Sequence, residues 1–520
     1  MKDVLIGIDA GTSVIKSVAF TLDGEQLADC SIANVYQTVD DACVEQDMLL
    51  TWQSTVKTLL ALAEKVPQLA TRTAAISITG QGDGTWLVDK NGHPVADAWL
   101  WLDGRAGKLV DEFKEQGQRD SLRYSETATG LAACQQGAQM MWMKEHSPDL
   151  LTRTDFACHC KDWLYFNLTG AKVTDPSEGT FTFGNFRNRS YSDAVIEQLQ
   201  LEDYKHLLPD MMDGVNDSTP LSKSAASITG LLEGTPVVLG YVDVICTALG
   251  AGLYDPVKSP GCTIVGSTGM HMYLVRSPDA VQLNDEQTGY LMPMPIAGCY
   301  AQMQSNMAST LNIDWLMDVA HDLLLEFGIE RSRAELVSMI ETWIGRAKSG
   351  EILYQPYISE AGERGPFIDV AARAGFTGLS TQHRFPDLVL SVVEGLAFAA
   401  RDCYQAMGEV PDEIRLTGGA ARSASLRQVF GAVLGTSLRT CSRTEAGAAG
   451  AAMMAAVNIG HYRSMDECVA KWVEPLLSEA ESADSLDAAR YSRVFPSYCA
   501  ARDALRPIWH EQAAARRLNQ

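Results

Sequence analysis

Asp9, Gly11, Thr12, Ser13 and Lys16 fall at the junction of two apolar runs, residues 4–8 and 14–20. A strand ending in a carboxylate, a turn of one glycine and two hydroxyls, and a returning strand gather backbone N–H groups, side-chain donors and an ammonium around one anion-sized space. Asp9 at the bend is placed to hold a hydrated Mg²⁺ beside a phosphate; an ordinary glycine-containing hairpin is the competing account. The pattern recurs where residues 262–265 run into Gly266-Ser267-Thr268-Gly269 and return through 270–275. Gly261, Gly266 and Ser267 approach Walker-loop spacing, but the lysine of that motif is missing and a strand fills the interval, so the Walker reading fails. Asp243 follows the apolar run 236–239. A carboxylate at the carboxyl end of a strand is where α/β proteins meet ligands, or else it caps a helix.

Two further stretches carry binding chemistry. In Gly80-Gln81-Gly82-Asp83-Gly84 the glycines allow close backbone approach, while an amide and a carboxylate suit a polyhydroxylated small molecule; a glycine-rich surface turn is the alternative. Trp99 and Trp101 beside Asp103 and Arg105 offer indole faces for C–H groups and polar atoms for hydroxyls, or form a core tryptophan pair next to an ion pair. Late in the chain Gly418 and Gly419 clear a strand–helix junction for a flat ring or a phosphate, with Ser423 as helix N-cap. The small residues from Glu445 to Ala452 either leave room for a ligand or let helices pack closely.

The elements that must position these groups follow from periodicity. The first two strands and a third after the Asp23-Gly24 turn make an antiparallel meander. A helical period covers residues 51–66, with Thr51 near its start, and residues 74–79 form an apolar strand. Pro386 opens a helix reaching about Met407, residues 413–417 form a strand, and a helix follows Ser423. Residues 161–178 alternate short elements and turns that fix no chemistry by themselves. Cys158-His159-Cys160 reads as a strand with its cysteines on one face, residues that pack and do not bind zinc.

Bulk properties bound the function. At 520 residues the chain predicts two domains, 1–250 and 251–520, and the repeated hairpin predicts that they are alike. A balance of 42 basic against 65 acidic residues, net −23, speaks against nucleic-acid and anionic-membrane partners, so an anionic ligand has to be held by local devices. The start of the sequence carries no signal-peptide pattern and no stretch resembles a spanning helix, which predicts a cytoplasmic protein with its 12 cysteines reduced. A homo-oligomer is left open.

Taken in order, Asp9-x-Gly11-Thr12-Ser13 with Lys16, Gly80-Gln81, Asp103-Gly104-Arg105, Leu168-Thr169-Gly170, Gly240-x-x-Asp243, Gly266-Ser267, Thr417-Gly418-Gly419 and Glu445-x-Gly447-Ala448-Ala449-Gly450-Ala451 resemble the FGGY sugar and polyol kinases over nearly the whole chain. The resemblance implies an α/β protein with the actin-like ATPase fold, two ribonuclease-H-like domains around a central cleft. Residues 1–250 would bind the acceptor and 251–520 the ATP, ending in a helical tail. It implies ATP and Mg²⁺, with Asp243 as general base and Asp9 holding the metal. Thr12, Ser13, Lys16, Gly266 and Ser267 would contact phosphates, and Gly418, Gly419 and Ser423 the adenosine. Ser267 stands where the family commonly has threonine, and Ser423 where it often has asparagine. Gln81, Asp83, Asp103 and Arg105 would bind the acceptor. Glycerol kinases of the family have Arg-Glu and xylulose kinases Met-His where this chain has Gly82-Asp83. The residues through Phe20 and those at 80–86 are most similar to the erythritol-phosphorylating branch, so the expected acceptor is a small polyol, erythritol, with L-xylulose as the alternative. A non-catalytic sugar sensor of the same fold is the alternative of another class; it would be expected to lose the base, and Asp243 is present.

Overall fold

The computed structural model describes residues 2–40, 42–115 and 117–517. Apolar alternation around Asp23-Gly24 folds the first residues into three antiparallel strands, β1 (Val4–Ala10), β2 (Val14–Thr21) and β3 (Gln26–Ala33). Helix α1 (Met48–Lys65) then crosses to β4 (Thr73–Gly80), which pairs with β1 in parallel. Asp47 caps α1 by accepting from Leu50 N–H, so the helix starts before Thr51, where the apolar period alone had put it. A long excursion carries α2 (Cys160–Thr169) and α3 (Pro176–Phe183) before β5 (Pro236–Leu239) joins β4 and runs into α4 (Asp243–Gly250).

The second half repeats this plan. Hairpin β6 (Gly261–Val265) and β7 (Gly269–Val275) pairs with β8 (Tyr300–Asn306), which leads into α5 (Thr310–Glu326). Helix α6 (Phe385–Ala406) precedes β9 (Glu413–Thr417), then come α7 (Ala424–Leu434), β10 (Ser437–Thr440), α8 (Ala446–Asn458) and the long terminal helix α9 (Ser485–Arg517). The sheets therefore share one order, β3-β2-β1-β4-β5 and β8-β7-β6-β9-β10; each adds one short edge strand, Thr219–Pro220 beside β5 and Tyr290–Pro293 beside β8. In each, the first strand carries an antiparallel hairpin on one side and a parallel strand on the other.

Three apolar cores hold the layers. One lies between β1, β4 and helices α1 and α2, and another between the second sheet and α6, α7 and α9. The third joins the halves: α4, α8 and residues of both sheets pack into a single cluster. Here backbone meets backbone, because a Cβ on Gly450 of α8 would sit 2.0 Å from the Cys246 carbonyl oxygen of α4 and one on Gly250 of α4 would sit 2.2 Å from that of Ala446. Gly7 of β1 is likewise pressed on Ala448. The alanines and glycines of α8 are thus explained by close packing, one of the two readings of that stretch.

Candidate active site

Register places the first turn's charges. Asp9 and Lys16 are directly opposite in the β1–β2 pair, so they share a face at the open end of the hairpin. Lys16 Nζ reaches 2.8 Å to Glu445 Oε2, ahead of α8, and joins the two halves there. The turn is braced by a ring of side chains. Asn34 Nδ2 donates to Gly11 O (2.9 Å), Gln46 Nε2 to Asn34 Oδ1 (2.6 Å), Gln81 Nε2 to Gln46 Oε1 (2.7 Å), and Thr12 Oγ1 to Gln81 Oε1 (2.9 Å). Trp101 Nε1 donates to Thr12 Oγ1 from outside (2.7 Å). The hydroxyl proton of Thr12 is therefore taken by Gln81, and exposed Ser13 with the backbone amides remains to face an anion.

The second turn is anchored from below. Ser309 and Thr310, at the start of α5, donate their N–H groups to Ser267 O (2.7 Å) and Gly266 O (2.9 Å), which leaves Ser267 and Thr268 exposed. Thr268 offers a third hydroxyl. Gly418 is held at φ +93° with the Val265 carbonyl 2.5 Å from where its Cβ would be, so only glycine turns the chain here. Gly419 has open space around it. Ser423 caps α7, accepting from Leu426 N–H, and donates to Glu341 Oε1 (3.0 Å). Gly419 and Ser423 line a cavity of about 490 Å³ with Thr310, Ile313, Ser338 and Glu341, in the size range of small-molecule sites. Sequence reasoning missed the residues from α5 and from 338–341, since no local motif ties them to the diglycine.

Asp243 is the first residue of α4, and its segment is clamped from two sides: Thr79 Oγ1 donates to Tyr241 O (2.6 Å), and Val242 N–H donates to Ser177 Oγ (3.0 Å). Burial, and next the charge of Asp9, push the Asp243 carboxyl well above the usual range, against the pull of the Val244 N–H. Burial likewise lifts Asp9 to about 6, against the pull of Lys16. A Cβ on Gly447 would be 2.4 Å from Asp9 Oδ2, so the glycine at the start of α8 is what lets that carboxylate lie against the helix.

Of the four side chains expected at the acceptor, Asp83 alone presents an unpartnered buried oxygen, its Oδ1. Gln81 is spent on the ring. Buried Asp103 accepts from Val44 N–H (2.8 Å) and binds the Arg105 guanidinium, which also reaches Glu45 Oε1 (2.8 Å) and stacks 3.5 Å over the Trp99 ring. These three residues brace the loops that carry the turn and Asp83. Burial and the charge of Glu178 raise the Asp83 carboxyl to about 8.

Glu178 itself comes from the stretch that showed no chemistry in the sequence. It is 2% exposed, and neither carboxylate oxygen has a hydrogen-bond partner among the described residues. His159 Nε2 lies 3.5 Å from Glu178 Oε2. The expected strand through Cys160 is corrected: it ends at Cys158, and His159 is the N-cap of α2 in a capping box with Asp162. Burial opposes charge on that imidazole, but Glu178 and Asp162 outweigh it and raise its pKa. Beneath lies fully buried Lys161, 2.6 Å from both Asp162 and Asp175.

No group of three His, Cys, Asp or Glu side chains able to hold a metal occurs among the described residues. Asp9 with Asp243 is instead a two-carboxylate set raised by burial, which suits a hydrated Mg²⁺ shared with phosphates. No helix among the described residues is long and apolar enough to cross a membrane.

Comparison with known proteins agrees with this geometry. Residues 4–250 match the FGGY family of carbohydrate kinases, N-terminal domain, and residues 261–459 match the C-terminal domain. The chain is 52% identical to the erythritol kinase of Brucella abortus, over 99% of this chain and 98% of the relative. It is 25% identical to the L-xylulose/3-keto-L-gulonate kinase of Escherichia coli, over 90% of each. Among solved structures, ligand-bound xylulose kinase from Lactobacillus acidophilus superposes with a TM-score of 0.86 at 20% identity, covering 96% of this chain and 98% of that one. Plasmodium falciparum glycerol kinase with ADP gives 0.81 at 15% identity, over 96% and 98%. Two phosphate-sized turns on sheets of one order, a strand-end carboxylate between them and this similarity along the chain have one meaning: the protein belongs to the FGGY family of carbohydrate kinases and has their actin-like ATPase fold.

Proposed function

We propose that the chain phosphorylates erythritol with ATP, releasing ADP. The observation that carries this reading is the near-full-length likeness to an erythritol kinase, together with three buried carboxylates, Asp83, Glu178 and Asp243, near enough for their charges to raise one another's pKa. The triphosphate lies between the turns at Ser13 and Ser267, with Lys16 released from Glu445 toward the γ-phosphate. The adenosine occupies the cavity at Gly419 and Ser423. A terminal hydroxyl of the acceptor attacks the γ-phosphorus; the bond from that phosphorus to the bridging oxygen breaks, ADP leaves, and the hydroxyl proton passes to Asp243. Asp9, with Asp243 nearby, would hold Mg²⁺, which would supply positive charge beside the phosphates and favour the ionised form of Asp243. Gln81, Asp103 and Arg105 act by holding the first turn and the Asp83 loop in place. An enzyme drawing on ATP in this way belongs in the cytoplasm, with small molecules and not nucleic acid as partners.

ADP release with Mg-ATP, measured across erythritol, L-xylulose, D-xylulose, ribitol and glycerol, tests the reading. Erythritol is expected to give the highest kcat/KM, and Asp243→Asn to lower kcat by about 10³-fold, as loss of a general base does. Preference for L-xylulose would leave the kinase assignment standing and overturn the acceptor; no stimulation by any acceptor would overturn both.

A further inference from the structure

Glu178 is a buried carboxylate without a hydrogen bond to any described residue, although His159 Nε2 faces it at 3.5 Å. Its two oxygens and Asp83 Oδ1 accept no hydrogen bond among the described residues, and all three are shut away from bulk water. Such groups are costly to bury, and the cost is recovered when a ligand supplies the missing donors. The neighbouring backbone has been cleared for this carboxylate. A Cβ on Gly82 would lie 2.8 Å from Glu178 Oε1 and 2.4 Å from Val242 Cγ2, so any larger residue at 82 would drive Glu178 and the residue preceding Asp243 apart. From behind, His159 bridges two carboxylates, its Nδ1 lying 3.3 Å from Asp162 Oδ2 and its Nε2 3.5 Å from Glu178 Oε2. Ser177, next to Glu178, holds the Val242 N–H, so one short helix sets the position of Glu178 and of the Asp243 segment together.

We propose that Glu178, beside Asp83, is a specificity-determining residue which accepts hydrogen bonds from the hydroxyls of a fully reduced polyol and rejects the corresponding ketose. The inference rests on the polyol-kinase reading above and adds to it the residue that makes the choice. An ionised carboxylate only accepts; a hydroxyl can donate to it, whereas a carbonyl oxygen at the same place sets acceptor against acceptor. Sites built to bond a hydroxyl discriminate strongly against analogues that cannot make the bond.

The test compares kcat/KM for erythritol and for erythrulose, which differs by one carbonyl, in the wild-type enzyme, Glu178→Gln and Glu178→Asp, with KM for ATP measured alongside. Glutamine brings an N–H donor to the same place. Glu178→Gln is expected to lower kcat/KM for erythritol by about 10²-fold, mainly through KM, and to shrink the erythritol-to-erythrulose ratio by at least about tenfold, with KM for ATP unchanged. Glu178→Asp keeps the charge but retracts it by one methylene, and an intermediate ratio is expected; this variant decides the question if the glutamine variant does not fold. A ratio that stays at the wild-type value in the folded variants overturns the role of Glu178 while leaving the polyol-kinase reading intact. A wild-type enzyme that prefers the ketose overturns the polyol reading itself.

Discussion

Asp9 shows how one residue is asked to do two opposed things. Its pKa, raised from 3.8 to about 6, means that the folded protein binds the proton more tightly than the unfolded chain. Stability is therefore lost as pH rises from about 4 through about 6, where the half-buried carboxylate must ionise. Asp9→Asn removes that loss. The variant is expected to gain about 1 kcal/mol over the wild type above pH ~7, allowing for partial exposure, to show no gain below about pH 4, and to lose kinase activity. Urea denaturation at the two pH values checks it, and an equal gain at both would contradict the assignment. Asp9 and Asp243 were legible in the sequence because each ends an apolar strand next to a distinctive turn. Glu178 was not: its meaning depends on the missing side chain at Gly82 and on His159, residues distant in the chain that only the folded sheet brings together. Gln81 illustrates the reverse case, a polar residue in the right loop whose bonding capacity is consumed by Thr12 and Gln46.

At the scale of elements, the crossing of α4 and α8 is the feature most sensitive to substitution. Gly450→Ala would place a methyl group 2.0 Å from the Cys246 carbonyl and force the helices apart. The expected cost is about 3 kcal/mol in urea denaturation, in the upper range for overpacking. Gly107→Ala, at the first residue of the helix Gly107–Glu115, makes the control, since nothing lies within 4 Å of its added Cβ and alanine favours a helix; its effect should stay within about 0.5 kcal/mol. The strands and helices that carry strong periodicity, the two hairpins, β4, α6 and α7, were readable in the sequence. Residues 158–160 were misread because a capping box with histidine in the N-cap position lacks the usual Ser or Thr signal. The α8 run was readable as either ligand space or packing, and only the partner helix decides between them.

For the whole molecule, the repeated hairpins announced two similar sheets, but the contacts between halves were invisible in the sequence because they join surfaces with no shared motif. Arg189 is one such contact: its guanidinium donates to the carbonyls of Met294 (3.2 Å), Ile296 (3.0 Å) and Cys299 (2.7 Å) across the boundary. Arg189→Ala takes the donor from the Met294 carbonyl and a second donor from Ile296 and Cys299, which keep the N–H groups of Cys299 and Met294, and is expected to cost about 2 kcal/mol, read as a lower urea midpoint; an unchanged midpoint would show that water replaces the bonds without loss. The glycine-lined crossing has a mechanical consequence as well. Backbone in direct contact with backbone leaves no slack for sliding, so any rotation of one sheet relative to the other must use the crossing as its fulcrum. Asp243 begins one of the two helices and Asp9 touches the start of the other, so both carboxylates sit at the short end of the lever. A rotation about that fulcrum would therefore displace these two carboxylates least and keep them aligned with each other.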